Sequence, residues 1–147
     1  MGAARFADAG RKLIASLTRR VTFAAAHRYW RSDWTDDRNR QLFGASTRLH
    51  GHNYACEVTV GGEIDPETGM VTDLGRLDAV LAAEVRERFD HKNINADVAE
   101  FGDGALVPTG ENLARFIFER VQHALSNVRV MRVVVREDEG LAAEYGG

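Results

Sequence analysis

The chain has 147 residues, of which 44% are hydrophobic and 28% are charged, and its formal net charge is −3 at pH 7. This profile is that of one ordinary globular domain, and the acidic balance argues against a protein that binds nucleic acid. The sequence has no apolar run of the roughly 20 residues that cross a bilayer, no signal-peptide pattern, and only one cysteine. We therefore expect a cytoplasmic protein without internal disulfides or membrane partners.

The first part of the chain predicts two strands that follow an N-terminal extension. Residues 1–16 are predicted to form a short helical or loosely ordered extension, and residues 17–147 a single domain. Alternating apolar residues predict strands at about 17–28 and 50–61. The polar segment 29–46 between them is predicted to be a long loop or a short helix, and such segments in compact domains are usually functional or disordered.

Two amphipathic helices and two further strands are predicted in the second half. Asp73 begins a helix whose apolar residues recur at helical spacing, and Thr109 begins a second one. Strands follow at 128–137 and 141–145. The order ββααββ predicts an α+β domain with a four-stranded antiparallel sheet and both helices on one face. Because such a sheet has two exposed edges, we expect it to close by oligomerisation.

Three histidines end the buried faces of the first two strands. His50 and His52 are two residues apart, and side chains at this spacing share one face of a strand. His27 continues the face that carries Phe23 and Ala25. Three neutral imidazoles with a fourth position left open are typical of catalytic zinc, so we predict that they bind Zn²⁺. The alternative for each is a core histidine that is hydrogen-bonded to the backbone.

Two other polar positions each have two interpretations. Glu137 ends an apolar row that begins at Met131, so its carboxylate is either a solvated strand end or a buried anchor for the N–H groups of a ligand. A carboxylate that accepts two parallel N–H bonds matches the edge of a pterin or a guanine. Asp90 and His91 follow the first helix and form either a proton-transfer pair or a helix end at which the dipole favours histidine.

Six segments, in this order, resemble the 6-pyruvoyl-tetrahydropterin synthase family, which includes the bacterial 6-carboxytetrahydropterin synthases. The resemblance covers about residues 22–146. HGHNY alone is only suggestive, whereas all six segments in order are highly specific. The segments are FAAAHR at 23–28, NRQLFG at 39–44, HGHNY at 50–54, GEIDPETGMV at 62–71, DHKN at 90–93 and TGEN at 109–112.

The resemblance implies the tunnelling fold, in which ββααββ subunits pair their sheet edges into a trimeric barrel and two trimers stack as a homohexamer. It implies active sites between subunits, a zinc-dependent lyase activity and a dihydropterin substrate, typically 7,8-dihydroneopterin triphosphate. It also implies roles by motif position. Zn²⁺ would be bound by His27, His50 and His52, the pterin by Glu137, Thr109 and Glu111, and the proton relay would include Asp90 and His91.

Ser46 stands where the main types of family member carry a catalytic cysteine. A serine hydroxyl is a far weaker acid than a thiol and needs its own general base. Cys56 is about 13 Å along the strand from His52, so it is badly placed to compensate.

Three outcomes follow from the serine. In the first, the chain forms 6-pyruvoyl- or 6-carboxytetrahydropterin, and the base is either His91 with Asp90 or a zinc-bound hydroxide. In the second, it catalyses an aldolase-type cleavage of a pterin side chain. In the third, it binds a pterin or a purine without turnover. An interpretation that is independent of the family is a small zinc hydrolase with the same three histidines.

Overall fold

The computed structural model describes residue 12 and residues 14–147, which form one mixed five-stranded sheet with helices. The strands are β1 (Ile14–His27), β2 (His50–Glu63), β3 (Lys92–Asn93), β4 (Arg129–Asp138) and β5 (Leu141–Gly146). They lie in the order β3-β1-β2-β4-β5. Neighbouring strands are antiparallel except β3, which pairs in parallel with β1.

The predicted α+β class is confirmed, but the sheet has one strand more than predicted. The additional strand, β3, has two residues that pair with Ala25 and Ala26 of β1. Two residues are too few for an alternation pattern, which is why the sequence did not reveal it. β1 begins at Ile14, so residues 14–16 of the predicted extension belong to this strand. The rest of the extension, except Lys12, lies outside the described residues.

In the part of the chain that the structure describes, four helices accompany the sheet: α1 (Asp36–Phe43), α2 (Leu74–Leu81), α3 (Ile94–Asp97) and α4 (Gly110–Ala124). Helix α1 lies in the segment that is predicted to be a long loop or a short helix. Helix α2 continues through a π-helical segment, Ala82–Arg86, and one further turn. Among the described residues, every helix is too short or too polar to span a bilayer.

Helices α2 and α4 begin directly after the capping residues that the sequence predicts. The side chain of Asp73 accepts a hydrogen bond of 3.0 Å from the backbone N–H of Arg76, and that of Thr109 accepts one of 3.1 Å from Asn112. Both side chains satisfy an N–H that the first turn of a helix leaves without a partner. Thr109 therefore fixes where α4 begins, beside the candidate site.

The core lies between the two long helices and one face of the sheet. Its side chains come from α2 and its continuation, from α4, and from the inward faces of β1, β2 and β4. Burial of this apolar surface is the main force that holds the helices on the sheet. Fully buried members include Leu77, Val85, Leu113, Ile117, Tyr54, Val58 and Val133.

A β-bulge interrupts the alternation of β4. The register with β2 shifts between Thr59 and Val60, which places Val130 and Val133 in the core and leaves Met131 42% exposed. The prediction that Met131 begins the buried row is therefore wrong, because the extra residue of a bulge moves the side chains that precede it to the other face. Beyond the bulge the predicted alternation holds, and Glu137 is only 5% exposed.

Candidate metal centre and ligand cavity

The three histidines meet where β1 and β2 pair at their ends. The register places His27 opposite His50, and Ala25 opposite His52. One nitrogen of each imidazole lies within 4.8 Å of the others. The ring centroid of His27 is 4.6 Å from that of His50 and 5.1 Å from that of His52. Antiparallel pairing thus brings His27 to His50 and His52, which lie more than 20 residues further along the chain, at a spacing that one cation spans.

Hydrogen bonds of the imidazoles leave nitrogens available for a metal. The Nδ1 of His27 donates to the carbonyl of Pro108 at 2.8 Å, and the Nδ1 of His50 donates to the carbonyl of Arg48 at 2.7 Å, since a carbonyl only accepts. This tautomer leaves each Nε2 with a lone pair, and the lone pair of His27 faces the Tyr54 hydroxyl at 3.2 Å. In the described chain, the buried Nε2 of His52 has no hydrogen-bond partner. These features fit a zinc-type ion, which accepts three neutral nitrogens.

Burial keeps His27 in the form that binds a metal. Removal from water lowers the pKa of His27 to about 4, against the opposing effect of its hydrogen bond to Pro108. The neighbouring His50 and His52 lower the pKa further, because a proton on one ring repels a proton on another. His27 is therefore neutral near pH 7.

Glu137 is buried beside the histidines, so it is not a solvated strand end. One carboxylate oxygen, Oε2, is 3.8 Å from the Nε2 of His52, and the other, Oε1, accepts a hydrogen bond of 3.2 Å from the hydroxyl of Tyr29. Burial raises the pKa of Tyr29, and the charge of Glu137 raises it further. Tyr29 thus stays protonated and acts as a donor to Glu137.

A cavity of about 370 Å³ adjoins the histidine cluster, and Glu137 lies in its wall. This volume is at the lower end of the range for small-molecule sites. A Cβ at Gly110 would lie 3.0 Å from the Cβ of Ala143 and 3.7 Å from Oε1 of Glu137, so glycine leaves room at this wall. The cavity, called the ligand cavity below, also brings together four further polar side chains: Tyr29, Ser46, Thr109 and Glu111.

Asp90 and His91 are not joined to this cluster within one chain. Oδ1 of Asp90 accepts a hydrogen bond of 2.9 Å from the backbone N–H of Ala24, and the side chain of His91 is 86% exposed. Their closest approach is 3.9 Å. Among the described residues, no hydrogen bond or ion pair links either of them to the three histidines. His91 lines an open cavity together with His52, so these two imidazoles share a cavity without a direct bond in the described chain.

Cys56 is buried in the core, which agrees with the expectation that it does not replace the family thiol. Burial raises the pKa of Cys56 to about 12. A thiol with this pKa has almost no thiolate at pH 7 and is a poor base or nucleophile.

Two tyrosines belong to the site although the sequence did not mark them as functional. The Tyr54 hydroxyl is buried and lies 3.2 Å from Nε2 of His27. The sequence places Tyr54 on the strand face that carries His50 and His52, and this position predicts a polar contact near them, because a buried phenol needs a polar partner. No comparable signal exists for Tyr29, whose partner Glu137 is 108 residues away.

The fold and the site define an α+β protein in which three clustered imidazoles that could bind a metal adjoin a cavity with a buried carboxylate in its wall. The family model described as 6-pyruvoyl tetrahydropterin synthase matches residues 16–147, and the chain belongs to this family. The predicted family membership is thus confirmed.

Relatives from both named branches of the family are similar to this chain over most of its length. The human 6-pyruvoyl tetrahydrobiopterin synthase is 39% identical, and the match covers 94% of this chain and 95% of the human one. The 6-carboxy-5,6,7,8-tetrahydropterin synthase of Aquifex aeolicus is 31% identical, with coverage of 88% and 96%. The structure of the Caenorhabditis elegans 6-pyruvoyl tetrahydropterin synthase superposes with a TM-score of 0.85 at 32% identity, covering 93% and 98%.

Proposed function

We propose that the chain is a zinc-dependent lyase that acts on the side chain of 7,8-dihydroneopterin triphosphate and forms a 6-pyruvoyl- or a 6-carboxytetrahydropterin. The observation that carries this proposal is the cluster of three imidazole nitrogens within 4.8 Å, beside a buried carboxylate in the wall of the ligand cavity. Family membership and relatives named for both products support it.

His27, His50 and His52 are the proposed zinc ligands. A set of three neutral nitrogens suits zinc better than the hard cations calcium and magnesium, which take oxygen ligands. When bound, Zn²⁺ acidifies hydroxyls of the substrate side chain and stabilises negative charge on their oxygens. The hydrogen bonds to the carbonyls of Pro108 and Arg48 hold two of the rings in the required tautomer.

Glu137 is the proposed anchor of the pterin ring. Its carboxylate would accept the N3–H and a 2-amino N–H, a bidentate arrangement that fixes the ring in one orientation. Tyr29 donates to one carboxylate oxygen and so holds the anchor in place, since each oxygen has a second lone pair for the ligand. Thr109 and Glu111, at the start of α4, are proposed to complete the ring pocket.

Asp90 and His91 are proposed to serve the ligand cavity of a neighbouring subunit in the homohexamer. The backbone of His91 has a positive φ of 58°, which is unfavourable for a residue with a Cβ. A hydrogen bond of 2.6 Å from its N–H to the carbonyl of Ala24 holds this conformation. An exposed imidazole kept in a strained backbone conformation is consistent with a role across an interface.

A second candidate function is aldolase-type cleavage of a dihydropterin side chain. Ser46 favours it, because this reaction depends mainly on deprotonation of a hydroxyl and needs no thiolate. A zinc hydrolase is disfavoured, since a hydrolase of this kind does not need the buried, tyrosine-bound Glu137.

The test is to incubate the zinc-loaded protein with dihydroneopterin triphosphate and to identify the products by mass spectrometry. We expect metal-dependent consumption, and the fragments identify the reaction. Release of inorganic triphosphate alone indicates the 6-pyruvoyl product, and release of triphosphate with a two-carbon aldehyde indicates the 6-carboxy product. A two-carbon aldehyde that still carries the triphosphate indicates aldolase-type cleavage. His50→Ala should abolish consumption, whereas the exposed His123→Ala should not. Stoichiometric retention of unchanged pterin by the zinc-loaded protein would instead support a binding protein without turnover.

A further inference from the structure

Residues 28–31 directly follow β1 and bring Tyr29 to the ligand cavity, and we call them the Tyr29 segment. The backbone of this segment is neither strand nor helix. The polar groups of such a backbone must find hydrogen-bond partners outside regular structure, because a buried N–H or C=O without a partner is costly. The partners of the Tyr29 segment therefore determine where the Tyr29 hydroxyl lies.

The side chain of Asn95 binds the first residue of the segment. Its Oδ1 accepts a hydrogen bond of 2.9 Å from the N–H of Arg28, and its Nδ2 donates one of 3.0 Å to the carbonyl of the same residue. Arg28 thus pairs with one amide through both of its backbone polar groups, as it would with an adjacent strand. Asn95 lies in α3, two residues after β3, so it extends the contact between the β3 segment and the end of β1.

The side chain of Asn39 holds the last residue of the segment in the same way. Its Oδ1 accepts a hydrogen bond of 2.7 Å from the N–H of Arg31, and its Nδ2 donates to the carbonyls of Arg31 at 2.9 Å and Thr35 at 3.1 Å. Asn39 is 0% exposed although it lies in the polar helix α1. These bonds resist rearrangement, because breaking one of them leaves a buried polar group without a partner.

An amide side chain is suited to both contacts. A backbone N–H only donates and a carbonyl only accepts, so the partner must offer an acceptor and a donor side by side. The two asparagines meet this demand at the two ends of the Tyr29 segment. Between them, the N–H of Tyr29 donates to the carbonyl of Ser46 at 2.7 Å. The backbone is thus fixed on both sides of the residue whose hydroxyl donates to Oε1 of Glu137.

We propose that Asn39 and Asn95 are positioning residues for ligand binding, which fix the Tyr29 segment so that the Tyr29 hydroxyl orients the carboxylate of Glu137. Among the described residues that line the ligand cavity, neither asparagine is included, so both act through Tyr29. This inference rests on the proposed function for the identity of the ligand, because Glu137 is the proposed anchor of the pterin ring.

The first test measures the affinity of the zinc-loaded protein for neopterin by calorimetry. Asn95→Ala should weaken binding by about 10-fold, which corresponds to the loss of one hydrogen bond to a charged group. In the Tyr29→Phe background, the same substitution should change the affinity by less than 2-fold, because the hydroxyl that it positions is already absent. A general loss of stability would not produce this dependence on Tyr29.

Asn39→Ala should give the same pattern as Asn95→Ala. Asn39 is fully buried and Asn95 is half-buried, so Asn95→Ala keeps the test decisive if Asn39→Ala does not fold. An equal loss of neopterin affinity with and without the Tyr29 hydroxyl would overturn the inference, and so would an unchanged affinity in Asn95→Ala.

The matched control is Gln122→Ala, near the opposite end of α4 from the ligand cavity. The Gln122 amide also makes three hydrogen bonds to the backbone: it donates to the carbonyls of Leu125 and Val128, both at 3.0 Å, and accepts from the N–H of Val130 at 2.8 Å. This substitution should lower stability to a similar extent but change the affinity for neopterin by less than 2-fold. An equal loss of affinity in Gln122→Ala would mean that any lost amide contact weakens binding, and would overturn the inference.

The second test does not depend on a pterin and so separates this inference from the proposed function. In urea denaturation, the effect of Tyr29→Phe on the unfolding equilibrium constant should be at least about 5-fold smaller in the Asn95→Ala background than in the wild-type background. If wild type binds no neopterin but this coupling is found, the pterin assignment fails and the positioning of Tyr29 stands. If the two substitutions are additive, Asn95 does not position the Tyr29 hydroxyl, whatever the ligand is.

Discussion

The Tyr29→Phe substitution tests whether the phenol of Tyr29 holds the buried carboxylate of Glu137. It removes one oxygen and keeps the ring, which packs edge-on against His27 at 5.3 Å and Phe43 at 5.9 Å. Glu137 is 5% exposed, and the hydroxyl is its hydrogen-bond donor in the described chain. Loss of a hydrogen bond to a buried charged group costs about 1.5–3 kcal/mol. We therefore expect the free energy of unfolding at pH 7 to fall by about 2 kcal/mol.

Urea denaturation of a double-mutant cycle provides the measurement. Glu137→Gln is the second substitution, and the coupling energy between the two changes reports on the pair itself. We expect a coupling of at least about 1 kcal/mol for this pair. Tyr145→Phe, which removes the hydroxyl of an exposed tyrosine, should change stability by less than about 0.5 kcal/mol. A coupling within the error of additivity, about 0.5 kcal/mol, would refute the reasoning.

Three further predictions concern the metal, the serine and the buried thiol. His50→Ala should abolish stoichiometric zinc binding in elemental analysis, whereas His91→Ala should retain it; retention in both would contradict the ligand assignment. Ser46→Cys should raise lyase turnover by about 100-fold if only the thiolate is missing; no gain in product formation would show that the site has diverged further. Cys56 should react with iodoacetamide at pH 8 about 1000-fold more slowly in the native protein than in urea, because burial raises its pKa to about 12; rapid native labelling, followed by mass spectrometry, would contradict its burial.

The main elements of the fold could be predicted because their signals are local. Asp73 and Thr109 cap the two long helices as predicted, since a capping side chain acts within three residues of the helix start. The bulge at Met131 and the short strand β3 were missed, because both depend on a partner strand that is distant in sequence. Local pattern carries no information about such pairing.

In the candidate site, too, local sequence patterns predict some features, and others depend on contacts between distant parts of the chain. Alternation places His27, His50 and His52 at the ends of two strands, and the register of those strands then brings them together. The partner of each remaining group lies far along the chain, as with Tyr29 and Glu137 or with His27 and Pro108. Sequence spacing identifies which residue types can carry chemistry, but hydrogen bonds across 80 or more residues require the fold.

Mixed assemblies of the proposed homohexamer can test whether one active site takes residues from two subunits. On the proposed function, the histidine cluster of one chain works with Asp90 and His91 of its neighbour, because His91 is exposed and, among the described residues, forms no hydrogen bond or ion pair with the cluster of its own chain. His50→Ala and His91→Ala should each be inactive alone.

Random assembly of equal amounts of these two variants should then restore about one quarter of the wild-type sites, since that fraction combines an intact His50 with an intact His91 from the neighbour. The assay is turnover after joint unfolding and refolding, with each variant refolded alone as the control. If both residues must come from the same chain, no mixed site is complete and activity stays at the level of the single variants. That result would refute a shared site and assign His91 to the active site of its own chain.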